Sequence, residues 1–144
     1  MQFTSLTTLV VVVAAALFTG AVTTTATWDD AYDNFTGDLN TVACSNGENG
    51  MITKGFTTFG SLPNWPFIGA TDAIAGYDSP NCGTCWELTY KGKGFTILAI
   101  DHAAEGFNIS KVALEQLTDG AGIPLGHVEV DAAQIPIERC GLSA

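Results

Sequence analysis

A carboxylate at the end of an apolar run is the first residue of this chain that invites a chemical reading. Asp101 follows Ile97-Leu98-Ala99-Ile100, so a strand that buries those side chains delivers a charged acceptor to its mouth. Hydrolysing a glycosidic bond normally takes two placed carboxyl groups, one to protonate the leaving oxygen and one to activate water or attack the sugar. Asp29 and Glu105 are the candidates to partner Asp101 in such a pair. Alone, Asp101 is an acceptor for hydroxyl groups or for a neighbouring loop, or the cap of the loop that follows it. Asp78 and Ser79 precede Pro80 and can cap a turn or contact a ligand. His102 is a single loop histidine, which reads as plain surface.

The other reactive side chains are Cys44, Cys82, Cys85 and Cys140. The pair Cys82-Gly83-Thr84-Cys85 is compatible with a redox centre, half a zinc site, or the ends of two separate disulfides. A zinc site needs a second close pair of ligands, and Cys44, Cys140, His102 and His127 supply none. A redox pair belongs between a strand and a helix of a parallel α/β pattern. Here Trp86-Glu87-Leu88-Thr89-Tyr90 follows instead, alternating like a strand. Four cysteines in a short secreted chain allow three disulfide connectivities. A local Cys82–Cys85 bridge is worth roughly 2 kcal/mol in the chain-entropy model, whereas bridges closing about 39 and 56 residues are worth roughly 4 kcal/mol each. Two long staples are therefore favoured. Loop length does not separate Cys44–Cys82 with Cys85–Cys140 from the crossed arrangement. No metal and no cofactor are expected.

The elements that must hold these residues are short. Residues 86–90 and 95–100 flank Lys91-Gly92-Lys93-Gly94, a strong hairpin signal. Residues 41–44 and 51–59 read as strands, and Ser45-Asn46-Gly47-Glu48-Asn49-Gly50 between them is turn chemistry. Residues 61–69 contain two prolines and read as irregular, and residues 72–76 as a short turn or helical piece. Asn108 or Ser110 caps a helix ending near Leu117, with Gly120 as its stop. Residues 127–131 alternate as a strand, and Pro136 places an edge or bulge after it. The sum is a mainly β single domain with one or two small helices.

No charged side chain precedes Asp29, and residues 9–18 (LVVVVAAALF) are apolar without interruption. The run has about half the roughly 20 residues that span a bilayer and matches the core of a secretory signal. Residues 1–21 are read as that signal, with cleavage between residues 16 and 26, followed by one domain over residues 22–144 and no membrane span in the mature form. The formal net charge of -10 repels phosphate backbones and excludes nucleic acid as a partner. Two glycosylation sequons are present, Asn34-Phe35-Thr36 and Asn108-Ile109-Ser110. Among aromatic side chains, Trp28 and Trp65-Pro66-Phe67 lie in polar or irregular segments where a sugar face can stack on them. Trp86 opens a core strand and is expected to be buried, and Tyr77 is intermediate.

Five stretches occur in order: Val42-Ala43-Cys44-Ser45-Asn46-Gly47, Ile74-Ala75-Gly76-Tyr77-Asp78-Ser79-Pro80, Cys82-Gly83-Thr84-Cys85-Trp86, Gly106-Phe107-Asn108 and Cys140-Gly141. Together they closely resemble the cerato-platanin family of small secreted fungal proteins, over about Trp28 to Leu142. Tyr77 stands where the family often has Trp, Trp28-Asp29 where it often has Tyr-Asp, and residues 132–139 match poorly. The resemblance implies a six-stranded double-psi β-barrel like the first domain of expansins, with the pairing Cys44–Cys82 and Cys85–Cys140. It also implies a non-hydrolytic protein that binds chito-oligosaccharides or loosens cellulosic wall polysaccharide, elicits plant defence, and can self-assemble. In hydrolases and expansins of this barrel the acid lies in a His-Phe-Asp stretch leading into a helix. Gly106-Phe107-Asn108 is the most similar segment here, and an Asn amide has no acidic proton to give. The carbohydrate-binding residues expected are therefore Asp101, Asn108, Asp78, Ser79, Tyr77 and Trp28, with none catalytic. The alternatives are a weak endoglucanase built on Asp101 and a surface-active structural protein with incidental sugar binding.

Overall fold

The computed structural model describes residues 10–11 and 20–144. The expected signal segment lies almost entirely outside the described residues. Among the described residues no helix is long and apolar enough to cross a membrane.

Six strands close into a barrel: β1 Val22–Trp28, β2 Ile68–Thr71, β3 Cys85–Tyr90, β4 Lys93–His102, β5 Phe107–Ile109 and β6 His127–Ile135. Around the barrel the order is β1-β5-β2-β4-β3-β6. β1 pairs parallel with β5, and β2 parallel with β4, while the other neighbours are antiparallel. This is the six-stranded double-psi barrel that the resemblance implies. Helix α1, Lys111–Thr118, and a single turn α2, Gly122–Leu125, sit between β5 and β6.

The sequence explains the hairpin and β6 directly. Lys91 (φ +46°) and Gly92 (φ +79°) both take the left-handed region that a tight two-residue turn requires. β6 alternates strictly, with Val128, Val130 and Ala132 inward and His127, Glu129 and Asp131 exposed. Those inward residues join Ala26, Leu88, Ile97, Phe107 and Ile109 in an inner core. Ala113, Leu114 and Leu117 of α1 belong to the same core. A second apolar cluster contains Ile68, Ala70, Leu98 and Ile100 from β2 and β4, with Leu39, Val42, Met51, Phe59 and Leu62 from the long loops. β4 is therefore buried on both faces, which is why its centre reads as continuous apolar sequence. Cys44–Cys82 and Cys85–Cys140 lie within this second cluster, with Cα–Cα distances of 5.4 and 5.7 Å.

Several expectations are corrected. Residues 41–44 form no strand. A 3₁₀ turn, Leu39–Thr41, is capped by the Asp38 side chain on Asn40 N. Cys44 then gives only one rung to the barrel, Cys44 N to Ile100 O at 3.0 Å. Residues 51–55 are successive turns, closed by bonds such as Gly55 N to Ile52 O at 2.9 Å, and Thr58 makes an isolated bridge to Asp38 before a 3₁₀ turn at Phe59–Ser61. Their apolar side chains are buried by loop packing rather than in a ladder. β2 instead begins inside the Pro-rich segment, whose Trp65–Pro66 peptide is cis. Ser110, not Asn108, caps α1 by accepting from Ala113 N at 3.2 Å. Asn108 lies in β5. Pro136 marks no edge, since β6 pairs on both sides, with β1 and β3, and ends at Ile135. Trp86 is half-buried, its ring meeting Phe107 edge-on at 5.5 Å. β1 begins at Val22, so removing the chain through Ala26 takes away most of the strand that closes the barrel between β5 and β6.

Candidate functional site

Strand register places Thr27, Asn108, Ala70 and Asp101 in one row across β1, β5, β2 and β4. The partners are Thr27↔Asn108, Asn108↔Ala70 and Ala70↔Asp101. Their neighbours Ala26, Phe107 and Ile109 belong to the inner core. Strand alternation therefore turns Thr27 and Asn108 to the outer face, and a register shift between Gly69 and Ala70 brings Asp101 opposite Ala70. Ala70 lies between the two polar side chains and is itself buried in the second apolar cluster. Thr27 Oγ1 donates to Asn108 Oδ1 at 2.9 Å. The same hydroxyl also lies 3.2 Å from Phe107 O, so the two acceptors share its proton. The contact to Oδ1 leaves Asn108 Nδ2 as a donor with no partner among the described residues.

Asp101 is a highly connected carboxylate. Its Oδ2 accepts from Tyr32 OH at 2.9 Å. Its Oδ1 accepts from Ala43 N and from His102 N, both at 2.9 Å. Tyr32 is buried, and its hydroxyl is held protonated well above the ordinary tyrosine range. Burial is the main cause; the Asp101 charge, the hydrogen bond to Asp101 and the Asp29 charge add to it. Tyr32 is thus a permanent donor, and Asp101 the acceptor it needs. Asp29 lies close enough for its charge to act on Tyr32, but its Oδ1 already accepts from Ala31 N at 2.9 Å. Glu105 is exposed, in the loop after β4. Both oxygens of Asp101 are occupied within the chain, and β5, beyond β2, offers an amide. Among the described residues, the carboxylates of Asp101 and Asp29 are both engaged in hydrogen bonds.

Tyr77, Asp78 and Ser79 form a second group, joined to the first through one residue. Ala43 N donates to Asp101, and Ala43 O accepts from Asp78 N at 3.3 Å. Asp78 has φ +55°, and its Oδ1 accepts from Asn49 N at 2.8 Å. Asn49 Nδ2 returns a bond to Asp78 O at 3.0 Å. Gly47, at φ +87°, lies under this carboxylate; a Cβ there would meet Asp78 Cγ at 2.6 Å. Only glycine fits both the conformation and the space. Tyr77 is 65% exposed, and its hydroxyl donates to Asn46 Oδ1 at 2.5 Å. The ring is therefore presented to solvent yet tethered. Ser79 is buried, and its Oγ accepts from Asn81 N at 3.1 Å, so it shapes the turn.

Trp28 stands apart from the row. It has the inward parity of Ile109, its register partner. Its Nε1 donates to Ile123 O at 3.4 Å, and Lys111 Nζ lies 5.2 Å from its ring centroid. Asn34 is exposed in the loop after a short 3₁₀ turn, Asp30–Asp33. Sequence reasoning missed Tyr32, Thr27 and Ala43. Thr27 becomes legible once residues 22–28 are read as a strand. Ala43 acts only through its backbone and carries no side-chain signal. It also missed Phe35, 58% exposed, whose ring lies over Gly60 and meets Trp65 edge-on at 5.2 Å.

Chemically, the row and its rim offer a free amide donor, carboxylate and hydroxyl acceptors, and an exposed ring. This suits a hydroxyl-rich ligand with a flat apolar face. A separate open concavity of about 700 Å³ lies on the outer face of β1, β6 and β3, lined by Thr23, Thr25, Glu129 and Asp131 among others. None of the residues of the row borders it. Among the described residues, no three His, Cys, Asp or Glu side chains converge as a metal site requires.

The family model described as Cerato-platanin matches residues 24–142. The chain is 42% identical over 122 residues to a protein of Coccidioides immitis named heat-stable 19 kDa antigen, covering 85% of this chain and 84% of that protein. Among solved structures, cerato-platanin 3 from M. perniciosa superposes with a TM-score of 0.80 at 41% identity, over 84% of this chain and all of that one (100%). The solution structure of the fungal elicitor cerato-platanin gives a TM-score of 0.70 at 33% identity, over 81% of this chain and 95% of that one.

Proposed function

The chain belongs to the cerato-platanin family, and from that premise we propose that it is a secreted, non-hydrolytic carbohydrate-binding protein that holds chitin oligomers at a wall surface. The observation that carries this reading is the row Thr27, Asn108, Ala70 and Asp101, with the exposed Tyr77 ring next in sequence to Asp78, whose backbone is joined to Asp101 through Ala43. Asn108 Nδ2 donates to a sugar hydroxyl or acetamido oxygen, Asp78 and the Thr27 hydroxyl accept, and Tyr77 takes a sugar face. Cellulose loosening follows from the same contacts, since a protein that competes for glucan hydroxyls separates chains without cutting them. Elicitor action on plants is supported by the solved neighbour described as a fungal elicitor.

Non-hydrolytic behaviour is supported by the occupied state of Asp101 and by the amide at residue 108. The relative in Coccidioides is named for antigenicity and not for catalysis. The expected result is no reducing ends from amorphous cellulose or chitin above a heat-inactivated control. Release that disappears in Asp101→Ala would replace this reading with the endoglucanase.

Asn108→Ala removes the free donor of the row at the cost of one Thr27 hydrogen bond. It should weaken chito-oligomer affinity by about fivefold to tenfold, the equivalent of about 1 kcal/mol, in calorimetric titration. Tyr77→Ala should weaken it by a similar factor of about five to ten through loss of ring contact. Equal affinities for both variants and the parent protein would remove the row and its rim from the binding site.

A further inference from the structure

We infer that Asn34 is a site of N-linked glycosylation and that Asn108, the asparagine of the other sequon, is not. This rests on the reading of the chain as secretory. Two observations separate the sequons.

The first is the local geometry at Asn34. Its Oδ1 accepts from Thr36 N at 3.2 Å and from Thr36 Oγ1 at 3.0 Å. This Asx turn brings the sequon hydroxyl onto the amide that is to react. Two donors on Oδ1 draw electron density from the carboxamide and ease the loss of an Nδ2 proton. Nδ2 itself has no partner among the described residues, and Asn34 is exposed. The backbone bonds that close the turn are also local: Asn34 N to Ala31 O at 3.3 Å and Gly37 N to Asn34 O at 2.9 Å. The contacts of the sequon beyond this turn run through Phe35, whose carbonyl accepts from Gly60 N at 2.9 Å, and leave the Asn34 side chain free.

The second is the opposite condition at Asn108. Its strand lies between β1 and β2, and its Oδ1 is held by Thr27. The sequon hydroxyl, Ser110 Oγ, is 0% exposed; it donates to Pro66 O at 2.6 Å and accepts from Ala113 N. That hydroxyl holds the start of α1 against the cis-proline segment and is withdrawn from Asn108. Folding thus removes this sequon from reaction, while the Asn34 sequon stays open before and after the fold closes.

The co-reactant is a lipid-pyrophosphate-linked oligosaccharide of the secretory pathway. Asn34 Nδ2 forms a bond to the anomeric carbon of the first sugar. The bond from that carbon to the pyrophosphate oxygen breaks, and the lipid pyrophosphate leaves with the electron pair. One Nδ2 proton passes to a base of the transferring enzyme. The proposed site for free saccharides keeps its Asn108 amide unmodified.

The test is secretion of the full chain from a yeast host, with intact mass measured before and after peptide-N-glycosidase in heavy-oxygen water. The expected result is one glycan, lost on treatment, with heavy-oxygen aspartate at residue 34 and unaltered asparagine at residue 108. Asn34→Gln and Thr36→Ala should each abolish the mass change while the protein is still secreted; Asn108→Gln should preserve it. A glycan on residue 108, or secreted material with no glycan, overturns the inference. Retention of unmodified chain inside the cell overturns the secretory reading on which it rests, and the two failures are told apart by where the protein is found.

Discussion

Replacing all four cysteines by alanine should leave a chain that is largely unfolded at physiological temperature. Cys44–Cys82 and Cys85–Cys140 span 38 and 55 residues of sequence. Each constrains the unfolded chain by about 4 kcal/mol in the loop-entropy model, and native disulfides of small secreted domains are typically worth about 2–5 kcal/mol. A domain of this size has about 5–15 kcal/mol of total stability, so losing both bridges removes most of it. The second apolar cluster explains why the bridges matter here. It is built largely from loops, in which residues 42–60 contribute an isolated bridge at Thr58 rather than a strand, and both disulfides lie inside it. Urea melts of Cys85→Ala/Cys140→Ala and of Cys44→Ala/Cys82→Ala should each show a loss of about 3–4 kcal/mol. An unchanged midpoint in either would mean that the loops are held by packing alone. The two bridges should differ in function. Cys44 is adjacent to Ala43, the residue that joins Asp101 to Asp78. Loss of its bridge should therefore weaken saccharide binding under conditions where both variants remain folded.

Asp101→Ala should be the most destabilising substitution of a single polar side chain in the site. It strands the Tyr32 hydroxyl, in a buried side chain, and deprives Ala43 N and His102 N of their acceptor. Leaving a buried donor unsatisfied costs about 1–3 kcal/mol, so a total loss of about 3 kcal/mol is expected. Asp101→Asn should cost only about 1 kcal/mol. Its Oδ1 still accepts from Ala43 and His102, so two of the three bonds survive. Tyr32→Phe combined with Asp101→Ala should cost less than the sum of the two, because neither leaves the other's partner stranded once both are gone. The check is a double-mutant cycle by urea denaturation. Strict additivity would mean that the 2.9 Å bond between Tyr32 and Asp101 carries no coupling.

The hairpin around Lys91 and Gly92, the alternation of β6 and the helix capped by Ser110 could be read from the chain because each obeys a local rule. Turn residues, period-two alternation and an N-cap act within a few positions. β2 could not be read. Ile68–Thr71 is buried at every residue and contains a glycine, so it shows no alternation. β5 has three residues, too few for a pattern. β1 is threonine-rich and follows the apolar N-terminal run, so its start was hidden by the expected signal. The converse errors have the same cause. Residues 41–44 and 51–59 carry apolar side chains at strand-like spacing, yet loop packing on the barrel buries them. The cysteine count implied two staples, the resemblance implied their pairing, and the structure has that pairing. The site was partly legible. Asp101 and Asn108 were named from their chemistry, but their relation through Ala70 depends on parallel and antiparallel registers between strands far apart in sequence. Tyr32 and Ala43 gave no signal because one is an ordinary aromatic and the other acts through its backbone.

The central claim is that the outer row of the barrel and its Tyr77 rim grip a saccharide. Backbone amide shifts of isotope-labelled protein, followed during titration with a chitin oligomer, test it most directly. The account predicts saturable shifts at Thr27, Asn108, Asp101 and Tyr77, with little change on the outer face of β1, β6 and β3. No shift in the row, or shifts confined to Thr23, Thr25, Glu129 and Asp131, would contradict it.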